Sequence, residues 1–139
     1  GMVVWSGNDG TEYSIHAIRY DFVDGWDLDV DLVIAPTLID AGSGSATDPS
    51  IAMDAFGNAF VVWIQPTPDG VLSVYAARYD ANTLSWGAAY LLEATAGVPT
   101  APQVSVTPGT GSAIVVWSQQ EVDSGGVIGE YSVFANRFE

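Results

Sequence analysis

The sequence predicts an all-β fold of tandem four-stranded units, about two and a half of them in one repeat domain spanning residues 1–139. Three observations lead there. Short motifs recur at intervals of 53 to 59 residues, and the most apolar segments are brief runs ended by turns that contain glycine or proline. No stretch of ten or more residues carries an apolar period of 3.6 between helix caps.

The recurrences are specific. Val3-Val4-Trp5 returns as Val61-Val62-Trp63 and as Val115-Val116-Trp117. The segment Ser14 to Asp21 returns as Ser73 to Asp80 and as Ser132 to Glu139, 59 residues on at each step. Pro49-Ser50-Ile51-Ala52-Met53 pairs with Pro102-Gln103-Val104-Ser105-Val106, 53 residues later. Asp40 and Glu93 each stand nine residues ahead of that proline.

Four strands follow one another in each unit. The first runs from Ser50 to Asp54, or from Gln103 to Thr107. A loop with glycine comes next, at 55–58 or 108–112, where a positive φ suits a tight hairpin. The second strand, Ala59 to Ile64 or Ala113 to Ser118, is a near-continuous apolar run. Such a run predicts burial on both faces, as when small sheets stack face to face around an axis. The third strand carries an arginine. The fourth opens on a tryptophan, at Trp86 to Leu92, and in the first copy at Trp26 to Ile39, about seven residues longer and rich in alternating aspartate.

The units therefore divide the chain into a partial copy at 2–40, a complete one at 49–93 and a partial one at 102–139. A four-stranded unit of 50 to 60 residues in tandem fits the blade of a β-propeller. Counted so, the chain starts at the second strand of one blade and stops after the third strand of another. Propellers close with about four to eight blades, so closure calls for a partner. The expectation is a homodimer that forms a six-bladed ring; the alternative is a piece of a longer propeller.

The pattern Pro-x-Ile-Ala-x-Asp, Gly-Asn-Ala-x-Val-Val-Trp, Val-x-Ala-x-Arg-Tyr-Asp and then Trp resembles the blades of bacterial sialidase-like (BNR-type) repeat propellers. The resemblance covers nearly the whole chain. That family's Asp-box, Ser-x-Asp-x-Gly-x-Thr-Trp, is reduced here to Asp24-Gly25-Trp26, and to Asp80 to Trp86 without its glycine. The resemblance implies a propeller, and the family is functionally mixed.

Composition narrows the function. Seventeen acidic residues face three arginines and no lysine, for a net charge of −14. Such a surface repels nucleic acid and anionic membranes and attracts cations. Absence of cysteine removes disulfides, thiolate metal sites and thiol nucleophiles. One histidine leaves neither a zinc site nor a Ser-His triad, and no lysine means no P-loop. No apolar run reaches the roughly 20 residues of a membrane-spanning helix, so membrane insertion is not expected. Gly1-Met2 reads as a tag remnant before a start methionine, and the composition resembles that of secreted bacterial proteins.

Arg19, Arg78 and Arg137 are similar in number to the carboxylate-clamping triad of sialidases, and Arg suits that role. Yet they are one position in three repeats, which favours a structural clamp, stacking on a tryptophan or pairing with an acid between blades. His16 has Tyr75 and Phe134 as equivalents, so its position calls for a flat ring. Trp5, Trp63 and Trp117 lie in the most apolar strand and read as core, with sugar stacking as the alternative. Trp26 and Trp86 open the peripheral strand and are the candidate ligand-binding residues. Asp24, Asp27, Asp29 and Asp31 form the one local cluster suited to Ca²⁺, at most a weak site, with solvent-face edge protection as the other reading. No other cofactor is implied. The expected function is a non-enzymatic binding or scaffold module, extracellular or on a bacterial cell surface, with a protein or glycan partner. The alternatives are a carbohydrate-binding propeller lectin and, behind it, a glycosidase fragment.

Overall fold

The computed structural model describes residues 1–8, 10–27, 37–40, 42, 44–93, 97–108, 111–122, 125, 126 and 128–138. These residues are all-β and form three small antiparallel sheets. In the first sheet β1 (Met2–Asn8) pairs with β2 (Tyr13–Asp21), and β2 pairs with both β3 (Gly25–Trp26) and β4 (Thr37–Leu38). The second runs β5 (Thr47–Met53), β6 (Ala59–Pro66), β7 (Leu72–Asp80) and β8 (Ser85–Trp86), with β9 (Tyr90–Leu91) also on β7. The third runs β10 (Gly97–Val106), β11 (Ala113–Val122) and β12 (Ile128–Phe138).

Pairing reproduces the repeat at the level of single bonds. His16 faces Leu38 across the ladder as Tyr75 faces Leu91, and Tyr20 faces Trp26 as Tyr79 faces Trp86. Ile39 and Leu92 each donate a backbone bond, to the Ile15 and Val74 carbonyls respectively. Asp40 and Glu93 then accept from the N–H of the same two residues, at 3.2 and 3.1 Å. The two acids ahead of the prolines thus close the fourth strand onto the third.

Two boundaries differ from the sequence reading. β5 and β10 begin at Thr47 and Gly97, ahead of the prolines, because each ladder resumes beyond a bulge. The bulge is built by Asp48 (φ 54°) and Ala101 (φ 48°), left-handed residues just before Pro49 and Pro102. The fourth strand is two short pieces rather than one. In the second sheet pairing breaks across Gly87 to Ala89, one residue too many for the opposite strand.

The core lies between the sheets. Val4, Ile15, Ala17 and Ile39 of the first sheet meet Val61, Trp63, Tyr75 and Ala77 of the second. The other face of the second sheet, Phe60, Val62, Val74 and Ala76, meets Ala113, Val115, Trp117 and Phe138 of the third. β6 is therefore covered on both faces, which is why its sequence does not alternate. β11 has the same composition but alternates in burial, because only one of its faces is covered.

Candidate functional site

The two junctions are built from the same parts. Trp5, Trp63 and Trp117 stack on His16, Tyr75 and Phe134, with ring centroids 5.5, 6.1 and 5.8 Å apart and planes within 19°. The flat ring that recurs at this position is the cross-strand partner of the tryptophan. Trp63 Nε1 donates to Gln65 Oε1 at 3.0 Å, and Trp117 Nε1 to Gln119 Oε1 at 2.9 Å. Gln65 Nε2 in turn donates to the Gly42 and Gly44 carbonyls, which fixes the segment entering the second sheet. The repeated Trp-x-Gln at 63–65 and 117–119 was a signal for this pair; the first copy has Gly7 there instead.

The arginines lie on β2, β7 and β12, opposite Met2, Phe60 and Ile114. Arg19 grips Asp27 through two nitrogens, Nη2 to Oδ1 at 2.9 Å and Nε to Oδ2 at 3.3 Å, and reaches Asp21 at 3.3 Å. These bonds hold its pKa above the ordinary value against the cost of burial. Arg78 lies over the Phe60 ring, 5.4 Å from the centroid, and its buried Nε has no hydrogen-bond partner among the described residues. Both contacts are to the arginine's own sheet, whereas the sequence reading placed the partner between sheets or on a tryptophan. The register accounts for both: Phe60 is the cross-strand neighbour of Arg78, and Asp27, the residue after Trp26, donates its N–H to the Arg19 carbonyl. Arg137 borders a hollow of about 240 Å³ with Thr107, Ser112 and Ile114.

A concavity of about 610 Å³ opens between the first two sheets. It brings together Arg19, Asp27 and Asp40 of the first sheet and its borders with Tyr79, Leu84 and Trp86 of the second. Trp86 packs edge-on against Tyr79 with centroids 5.4 Å apart. Burial raises the Tyr79 pKa, and the Arg19 charge pulls it back. The cleft thus combines aromatic surface, a bidentate Arg–Asp pair and a second carboxylate, the chemistry that holds a polyhydroxylated ligand by stacking and hydrogen bonds.

Of the two tryptophans singled out as ligand-binding candidates, only Trp86 borders this cleft. Trp26 is exposed and packs edge-on against Tyr20. Asp27, read from sequence as part of a cation cluster, is the ion-pair partner of Arg19. Asp24 sits in the preceding turn, where its N–H and that of Val23 donate to Asp21. Asp29 and Asp31 lie outside the described residues, as does the rest of 28–36 between two positions that border the cleft. Among the described residues no group of three or more His, Asp or Glu could hold a metal ion.

Two polar clusters were missed by sequence reasoning. Asp54 Oδ1 accepts from the Phe56 and Asn58 N–H groups while Oδ2 accepts from Asn58 Nδ2, and Asn58 Oδ1 accepts from Ala81 N–H. This knot ties the first hairpin of the second sheet to the turn after β7. Glu93 is buried at the second junction, and its Oε2 has no hydrogen-bond partner among the described residues. Comparison of the chain with family models, curated proteins and solved structures gives no match.

Proposed function

We propose that this chain is a non-enzymatic binding or scaffold module made of β-propeller-like tandem blades, displayed outside a bacterial cell. The observation that carries the reading is the repeated sense of stacking. At each junction the tryptophan-bearing face of one sheet seats on the opposite face of the sheet before it, as blades do around an axis. Such a stack presents loops and inter-sheet clefts to partners, and the acidic surface disfavours nucleic acid. The sialidase-like resemblance and the composition support the same assignment.

The cleft at the first junction favours one second reading, a carbohydrate-binding lectin, because Trp86, Arg19, Asp27 and Asp40 surround it. A glycan array with wild type and Trp86→Ala separates the two. A scaffold gives no signal above background, and a lectin gives binding that the substitution abolishes. A panel of chromogenic glycosides tests the non-enzymatic assignment. Turnover abolished by Asp27→Asn or Asp40→Asn would overturn it in favour of a glycosidase.

A further inference from the structure

We propose that a second copy of this chain docks its first sheet onto the third sheet of the other, in the head-to-tail sense in which the three sheets already stack. The inference rests on the tandem reading above and adds a partner to it. The residues that fill the two internal junctions have equivalents on the two outer faces of the stack, and there they are uncovered.

On the receiving side, Phe60, Val62 and Val74 of the second sheet are fully buried beneath the third sheet. Their equivalents on the third sheet are Ile114, Val116 and Val133, by the shared ladder register. These are 51 %, 40 % and 81 % exposed. On the inserting side, Val61 and Val115 are fully buried against the preceding sheet, whereas the equivalent Val3 is 46 % exposed. Trp63 and Trp117 are buried, while Trp5, stacked on His16, is only half-buried. Val3 and Trp5 alternate with Val4, which packs inward, so both point away from the second sheet.

The three-sheet stack therefore presents one inserting face and one receiving face, the two halves of a junction it forms twice internally. An apolar patch of this kind drives association. The contact is heterologous, so one copy's receiving face takes the next copy's inserting face. Two copies that each offer both faces close a ring of six sheets, within the range of about four to eight that propellers use. The occupant is thus a second copy of the chain, and the expected species is a dimer.

Sedimentation velocity over a concentration series tests this with wild type, Val3→Asp and Val133→Asp. Both positions are exposed, and unchanged circular dichroism and melting temperature verify the fold. Should Val3→Asp fail to fold, Val3→Ser removes the apolar contact without adding charge. Wild type is expected to dimerise and each variant alone to be monomeric. An equimolar mixture of the two variants is expected to recover a dimer through its one intact pair of faces. A wild-type monomer at every concentration would overturn the proposal and leave the faces to a further blade or another protein. Variants that dimerise as wild type does, or a mixture that stays monomeric while wild type associates, would overturn the face assignment. A monomer result leaves the binding-module reading standing, since the glycan and glycoside measurements test that separately.

Discussion

Arg19 and Arg78 occupy one position in the repeat, yet a single neighbour separates their environments. Asp27 and Gly87 each donate a backbone bond to the carbonyl of the respective arginine, so they are equivalent, and only the first brings a carboxylate. Arg19 is a partly exposed ion pair, worth at most about 1 kcal/mol. Arg78 instead covers an aromatic ring at the edge of the core, a contact worth about 0.5–2 kcal/mol beyond its packing. Urea denaturation should show Arg78→Ala losing about 1–2 kcal/mol and Arg19→Ala less; the reverse order would refute this assignment. Glu93 is the other informative residue. Burial raises its carboxyl pKa above the ordinary 4.5, while Ser73, the Val74 N–H and Trp117 oppose the shift. The folded state then holds the proton more tightly than the unfolded chain. The stability linked to Glu93 is fully present below about 4.5 and is lost as pH rises through the raised pKa. Glu93→Gln should accordingly raise the melting temperature at pH 7 and flatten its decline above pH 4.5. An unchanged profile would show that the carboxylate is solvated when charged.

At the scale of elements, the segment entering each later sheet crosses over the glutamine that holds the buried tryptophan. Gly97 shows how closely. A Cβ there would lie 2.2 Å from Gln119 Nε2 and 2.6 Å from the Gln120 carbonyl. Gly97→Ala must displace a β11 backbone group and should cost more than about 2 kcal/mol. Gly87→Ala meets its nearest atom at 3.5 Å, an ordinary contact, and should stay within about 0.5 kcal/mol of wild type. Equal effects in thermal melts would remove the steric explanation. Gln65→Leu probes the same junction from the polar side. It strands the buried Trp63 Nε1–H, so a loss of about 1–3 kcal/mol is expected in urea titrations.

For the whole molecule, the charge of −14 sets the response to solution conditions. Two like-charged copies repel, and the repulsion is screened over about 10 Å at 0.1 M salt. Sodium chloride should therefore strengthen association if the docking faces are apolar, whereas a contact made by ion pairs would weaken. Sedimentation at low and high salt reads the sign directly. The Asp54 knot works in the opposite pH sense to Glu93. Burial raises its carboxyl pKa, but the Asn58 side chain, the Phe56 and Asn58 N–H groups and the Arg78 charge outweigh that and lower it. Its contribution is present above the ordinary value of 3.8 and is lost as pH falls through the lowered pKa.

All-β character, the repeat length and the strand order were legible in the sequence, because each depends on local apolar runs and turn residues that recur. The equivalence of Asp40 with Glu93 and of His16 with Tyr75 and Phe134 was legible too, since each pair occupies one place in a ladder. The two-faced burial of β6 followed from its unbroken apolar run. The same run in β11 could not disclose that one face is open, because exposure depends on what stands opposite and not on the strand's own residues. The candidate cleft was legible only in fragments. Trp86, Arg19 and Asp27 were singled out for different reasons, and nothing local placed them around one cleft. Asp27 is the clearest case: spacing along the chain grouped it with other aspartates, while the register of β2 against β3 delivered it to Arg19. Periodicity along one strand is a property of the chain, but which side chains meet across a junction is decided by how the sheets stack.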